Sequence, residues 1–550
     1  MTFSANVNNE LRKARGLALG GRFSEAESIY QKLASGKVGR ESALRELCQL
    51  YIQWQKFGRA IDCVEQLAKS VSTTPEYWLQ LAQLAQSVGN TNKAIEAYRR
   101  YFSKEPGQPN TVFNFAYMLR KAGYLEEAID WYQKSLLLNI SDKEEVYTNI
   151  GVIYSELRRE HKAKEFFEKA LDVRSDYIPA MLNLAAYFEE LGEKDKASRL
   201  YNRALKIDDG CSLALCRLAN MGSASESGDV LIRRALALVE RAGISDSEAE
   251  ELHFALGKLF DDCGSYDNAF KHYQLANQIG RKRFSLYDQY GHKCKVDALI
   301  QCFSREWFEN HFSNVEDAPV FICGMFRSGS TLIEQVLSGH SRLTAGGEND
   351  FFPQLAFRMG ESYPLAIKSM SNADLTSMGS CYMEDLRRRF PGADLITDKR
   401  PDNFLHVGLI KAVLPKSRFL LTRRGLLDNC LSVYFQQLGG GMNYSVDLEF
   451  IAHYYVEQVR LMTHWKCLFP DDILEIEYEE FVEDPEGELR HVLSFLGLPW
   501  ETSCLEFTER SNYVKTASIW QVREGIHSRS TSRYQNYRGY LKSLEKYLAK

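Results

Sequence analysis

The residues whose types and spacing are best suited to chemistry lie in Val320-Phe-Ile-Cys-Gly-Met-Phe-Arg-Ser-Gly-Ser-Thr-Leu332, where an apolar run enters a small-residue turn and then the helical text TLIEQVLS. A turn of this kind aims successive backbone N–H groups and the positive end of a helix dipole at one point, which stabilises an anion. Gly324-x4-Gly329 has the spacing of a nucleotide P-loop, but Ser330 stands where the phosphate-binding lysine belongs. The usual triphosphate reader is absent, which argues against an NTPase or kinase. Arg327, just before the turn, offers a cation to a ligand carrying one phosphate and a further anionic group.

A loop of this sort needs a frame, and the text around it supplies one. From about residue 318 the runs APVFICGM, ADLITDK, SRFLLTRR and DILEIEYEEF read as strands, with amphipathic helical text such as STLIEQVLS and EGELRHVLSFLG between them. Alternating strands and helices imply a parallel sheet wrapped by helices.

Upstream the pattern is different. An alanine recurs at Ala26, Ala60, Ala94, Ala128, Ala163, Ala197 and Ala269, followed four residues later by Tyr30, Tyr98, Tyr132, Phe167, Tyr201 and Tyr273 in six of the seven units. The steps of 34, 34, 34, 35, 34 and 72 residues give the tetratricopeptide period, with one irregular double-length interval. The alanine lets paired helices approach, and the aromatic plugs the next interface at i, i+4. The stretch 213–247 breaks the pattern and reads as a worn repeat. The expected fold is therefore multidomain, an all-α tetratricopeptide array over 1–281, a helical linker over 282–317 and an α/β P-loop-like domain over 318–550.

Composition narrows the class further. Sixty-eight Lys and Arg against seventy-three Asp and Glu give a net charge of −5, which opposes binding nucleic acid through an overall positive field. No leader-like segment or long apolar span is evident, so a soluble cytoplasmic chain without membrane contact is expected. The twelve cysteines lack CxxC pairs or zinc spacing and read as reduced core thiols, with no metal.

The C-terminal text resembles the sulfotransferases that use 3′-phosphoadenosine 5′-phosphosulfate (PAPS), and the whole chain resembles their bacterial tetratricopeptide-repeat branch. FRSGSTLIEQVL is similar to the 5′-phosphosulfate loop, which nominates Arg327, Ser328, Gly329, Ser330, Thr331 and Leu332. GGEND resembles the glutamate segment of tyrosylprotein sulfotransferases and implies Glu348 as base. ITDKRPDNFLHVGLI resembles the segment that places a lysine, here Lys399, at the sulfuryl group. SRFLLTRRGLLDNCLS resembles the 3′-phosphate motif and implies Arg424 and Ser432, with Arg423 as a neighbouring cation. Gly425, Leu426 and Leu427 replace the motif's Asp-Pro-Arg. Tyr478 corresponds to a tyrosine near adenine, and the tail TASIWQVREGIHSRSTSRYQNY nominates Ser518, Ser532 and Arg533.

The resemblance implies sulfuryl transfer from PAPS to an acceptor hydroxyl, with protein tyrosine one candidate and no metal required. Catalysis would rest on positioning and on charge stabilisation at oxygen. Backbone N–H groups of Ser328 to Leu332 would hold the 5′-phosphate, Arg327 and Lys399 would neutralise developing charge, and Glu348 would take the acceptor proton. The repeat groove would hold a protein or peptide, or serve homo-oligomer formation. The competing expectation is a non-catalytic repeat scaffold with a degenerate nucleotide-binding domain.

Overall fold

The computed structural model of the protein describes residues 2–36, 38–70, 74–226, 228–507, 520, 525–526 and 530–548. The chain divides into two compact units, residues 1–184 and 185–550.

The first unit is built of antiparallel helix pairs, from Thr2–Leu19 with Phe23–Ala34 to Lys143–Glu156 with Glu160–Val173. The repeat signature explains the pairing. Ala26, Ala60, Ala94, Ala128 and Ala163 have no exposed surface, and Tyr30, Tyr98, Tyr132 and Phe167 are at most 2% exposed. Gly151 shows how close the contact is, because a Cβ there would sit 2.6 Å from the Phe167 ring. Gly89 and Gly123 hold φ of +76° and +84° in the turns, a region costly for any side chain.

The second unit begins with more helices of the same kind, including Lys194–Ile207, Asp246–Asp262 and Tyr266–Arg283. Between them the irregular stretch forms two ten-residue helices, Ser212–Met221 and Val230–Val239, a shortened pair. Ala269 and Tyr273 are buried as the repeat pattern expects.

Among the described residues, five strands form one wholly parallel sheet: β1 (Val320–Gly324), β2 (Leu343–Ala345), β3 (Leu395–Lys399), β4 (Arg418–Arg423) and β5 (Ile473–Glu477), in the order β2-β3-β1-β4-β5. Four of these are the strands expected from the sequence. β2 has three residues, too few for an alternation to register. β1 is buried along its whole length, as a strand covered on both faces must be. It lies between β3 and β4, with Ile322 opposite Lys399 and Gly324 opposite Thr422. The strand order reverses there, so the crevice at the carboxyl ends of β1, β3 and β4 is where this class of sheet receives a ligand.

Within the second unit the repeat helices pack directly on the sheet domain. Asn277 Nδ2 donates to the Tyr434 carbonyl at 2.8 Å, and Tyr273 stacks on Phe435 with centroids 3.7 Å apart. The expected linker contains the helix Gln289–Cys302, which packs along Leu448–Leu468 through Arg460 on Asp297 and the Tyr287 hydroxyl on His453. Seven cysteines are buried, but Cys294, Cys381 and Cys467 are exposed, so the reading of all twelve as core thiols is too broad. Among the described residues, no helix is long and apolar enough to cross a membrane.

Candidate functional site

β1 ends at Gly324, with φ of +152°, where a Cβ would meet the Thr422 carbonyl at 2.2 Å. Only glycine lets the chain leave β1 so close to β4. The loop then closes on itself, with Ser328 N–H donating to the Met325 carbonyl and Ser328 Oγ bonded to both that carbonyl and Thr422 Oγ1. Gly329, at φ +101°, has the Tyr478 ring 2.6 Å from its would-be Cβ and begins the helix Ser330–Leu337. Ile333 N–H makes the return bond to the Gly329 carbonyl, so the N–H groups of Ser330, Thr331 and Leu332 precede it in the helix's first turn.

An arginine group stands on the β4 side of this loop. Arg327 donates from Nε to Ser432 Oγ at 3.1 Å, which draws those two nominees together. Arg424, 6% exposed, donates from Nη1 to the Arg327 carbonyl at 3.2 Å and from Nη2 to the Ser530 carbonyl, and lies 5.0 Å from the centroid of Tyr478. Desolvation, with Arg424 and Arg533 nearby, pushes Arg327 down to about 10, and burial also lowers Arg424. Arg424 Nε is buried with no hydrogen-bond partner among the described residues. Buried donors of this kind call for an anion.

Arg423 turns the other way. Its guanidinium pairs with Glu475 and Glu477 of β5 at 3.0 and 3.1 Å, so of the two adjacent arginines only Arg424 faces the loop. Arg533 is ion-paired with Asp261 of the repeat helix Asp246–Asp262 and lies over the Phe435 ring. Burial works against its charge, but Asp261 holds its pKa above the ordinary value. Ser532 N–H and Tyr534 N–H donate to Asp428, which fastens this tail segment to the helix Leu426–Tyr434. Ser518 lies outside the described residues.

On the other side of β1, Lys399 Nζ and Glu348 Oε1 are 2.7 Å apart. The lysine side chain is 1% exposed and the glutamate 39%, so the ammonium is enclosed while the carboxylate reaches the crevice. Lys399 is thus no solvated strand end. Nor does Glu348 cap the helix Phe351–Arg358, whose first N–H is taken by Asn349 Oδ1 and whose N-cap position is Asp350. Arg400 pairs with Asp350 and Asp402.

The neighbouring Asp398 faces inward, accepting from the Tyr382 hydroxyl at 2.7 Å and from Asn403 Nδ2 at 3.2 Å. Burial raises its carboxyl to about 7 despite those donors. The unfolded carboxyl titrates near ~4. Between about pH 4 and about pH 7 the native state therefore holds a proton that the unfolded chain has lost, and stability falls as pH rises through that window. Asp398→Asn removes this term. Its Tm relative to wild type is expected to climb by several degrees across the window and then level off, whereas a pH-independent difference would show that Asp398 does not titrate there.

Several residues of the site were not nominated from sequence. Asn429 Nδ2 donates to the Phe326 carbonyl at 3.0 Å and steadies the loop, while Thr422 ties it to β4. Asn429 and Asp428 lie within the quoted DNCLS text, which was the available signal. Glu334 and Thr397 also lie within motif text, FRSGSTLIEQVL and ITDKRPDNFLHVGLI, but nothing in that text sets them apart from their neighbours. Among the described residues, no group of three or more His, Cys, Asp or Glu is placed to hold a metal ion.

Comparison with known proteins accords with both parts of the chain. Residues 319–502 match the family model for the Sulfotransferase family, and residues 79–140 and 142–209 match models for the Tetratricopeptide repeat. An uncharacterized protein of Aquifex aeolicus (strain VF5) is 33% identical over 303 residues, 52% of this chain and 40% of that protein. A putative protein-tyrosine sulfotransferase of Caenorhabditis briggsae is 23% identical over 205 residues, covering 36% of this chain and 71% of that protein. Protein-tyrosine sulfotransferase 1 of Danio rerio is 25% identical over 205 residues, 35% of this chain and 57% of that protein. The matches thus span two fifths of the Aquifex relative and little more than half of the Danio one. The chain joins a Sulfotransferase-family domain to tetratricopeptide repeats.

Proposed function

We propose that the chain transfers a sulfuryl group from PAPS to an acceptor hydroxyl, with Glu348 as base and Arg327 and Lys399 stabilising the transferring group. The observation that carries this reading is the Lys399–Glu348 pair at the end of β3, beside the strand that feeds the phosphate loop. PAPS supplies the sulfuryl group and, on departure, a phosphate leaving oxygen. The loop's Ser328 to Leu332 and the arginine group fit its anionic ends. The first turn of the helix Ser330–Leu337 presents N–H groups to the 5′-phosphate, and Arg424 with Ser432 takes the 3′-phosphate.

In the transfer, a bond forms between the acceptor oxygen and sulfur while the bond from sulfur to the phosphate oxygen breaks. The acceptor proton passes to Glu348. Lys399, enclosed at the end of β3, meets the negative charge that builds on the bridging oxygen, where a preorganised cation is most effective. Arg327 neutralises the phosphate side of the same group. Because two of the three relatives bear the names protein-tyrosine sulfotransferase 1 and putative protein-tyrosine sulfotransferase, a phenolic hydroxyl on protein is the acceptor to test first, with the repeats holding the protein that bears it.

Calorimetric titration with adenosine 3′,5′-bisphosphate tests the nucleotide assignment. Saturable binding is expected, alongside transfer of labelled sulfate from PAPS onto protein. Binding of ATP with none of the bisphosphate would overturn the reading.

A further inference from the structure

Glu334 lies one turn into the helix that follows the phosphate loop and is only 3% exposed. A buried carboxylate persists only where donors or cations meet it. Its Oε1 accepts from Gly347 N–H at 3.0 Å and from the Thr397 hydroxyl at 2.8 Å. Around it, Gly346 N–H reaches Thr397 Oγ1 and the Thr397 carbonyl, and Lys399 N–H donates to the Gly347 carbonyl at 3.0 Å. One carboxylate oxygen therefore ties the phosphate-loop helix, the turn that carries Glu348, and β3, which carries Lys399. Burial pushes Glu334's own carboxyl up, while Lys399, Thr397 and Gly347 pull it back down and Glu348 pushes it up further. All three charges lie within electrostatic reach of one another.

We propose that Glu334 is a positioning residue of the transfer site, the buried carboxylate that anchors the Gly346–Glu348 turn to the phosphate-loop helix and to β3, which carries Lys399. This rests on the sulfuryl-transfer reading above. Glu348 and Lys399 stand on two different segments, and their 2.7 Å pairing depends on the register between those segments. Bonds from one buried oxygen to both segments hold that register. Glu334 touches neither reacting atom and acts through the pair in front of it.

Two substitutions separate anchor from charge. Glu334→Gln keeps an accepting oxygen but removes the charge, and Glu334→Ala removes both. Hydrogen exchange should show the Gly347 amide protected in wild type and Glu334→Gln but at least tenfold less protected in Glu334→Ala. Release of adenosine 3′,5′-bisphosphate from PAPS should fall at least tenfold in Glu334→Ala, with affinity for the free bisphosphate within twofold of wild type, and Glu334→Gln should recover most of that loss. Wild-type protection or a wild-type rate in Glu334→Ala, or a rate in Glu334→Gln as low as in Glu334→Ala, would overturn the proposal. Failure of the wild-type chain to bind the bisphosphate would instead overturn the sulfuryl-transfer reading, and the Gly347 exchange would still judge the anchor.

Discussion

Glu348→Gln is expected to lower PAPS turnover by about 10²–10⁴-fold while leaving affinity for adenosine 3′,5′-bisphosphate within about twofold, the range set by losing a positioned general base. The amide is close to isosteric and can still accept from Lys399, so the lysine keeps a neighbour and the fold should be little affected. What is lost is the capacity to take the acceptor proton as the new bond to sulfur forms. Lys399→Met should give a loss of similar size for a different reason, because the charge on the leaving oxygen then loses the preorganised ammonium that would meet it. Glu348 and Lys399 act as a unit, so the double substitution should cost little more than either single one. Additive losses would show that the two residues serve separate steps, and unchanged turnover in Glu348→Gln would remove it from the chemistry.

The parts of this site that could be read from sequence are those written in contiguous text. The phosphate loop is one: strand, turn and helix follow one another, and the glycines required by the close approach of Thr422 and Tyr478 are visible as Gly324 and Gly329. The repeats are another, since a small residue and an aromatic at fixed spacing specify the packing of each pair. What could not be read depends on partners far along the chain. Which of Arg423 and Arg424 faces the loop depends on Glu475 and Glu477, which draw Arg423 away from it. Glu334 looks like any polar residue in amphipathic text, and only the folded sheet brings Thr397 and Gly347 to it. β2 is legible only as the neighbour of β3.

The contact between Arg533 and Asp261 is the most distant of these, and it alters how the repeats relate to the site. Repeat helices within the second unit form part of the wall behind the arginine group, through Asp261 on Arg533, Tyr537 on the same carboxylate, and Tyr273 against Phe435. Arg533 lowers the pKa of both Arg327 and Arg424, so the repeat carboxylate that holds Arg533 bears on the charge balance at the loop. Repeat helices and the sheet domain are therefore joined chemically here as well as by sequence. Changes at Asp261 should be judged as changes near the loop.

Arg424→Met should weaken binding of adenosine 3′,5′-bisphosphate by about 100-fold, or ~2.7 kcal/mol, which is within the range of one or two charge-assisted hydrogen bonds. Adenosine 5′-phosphate, lacking the 3′-phosphate, should lose much less, so discrimination between the two nucleotides should collapse. The motif's Asp-Pro-Arg is replaced here by Gly425, Leu426 and Leu427, which leaves Arg424 as the guanidinium supplied by this stretch. The remaining frame keeps it in place: Tyr455 donates to its carbonyl at 2.8 Å, and Glu479 receives the next N–H at 3.1 Å. Arg424→Lys should recover only part of the loss, because one ammonium cannot reach the Arg327 carbonyl, the Ser530 carbonyl and an anion together as the fork does. Equal losses for both nucleotides in Arg424→Met would mean that the arginine supports the loop without reading the 3′-phosphate. Full recovery in Arg424→Lys would mean that charge alone, and not the fork, holds the ligand.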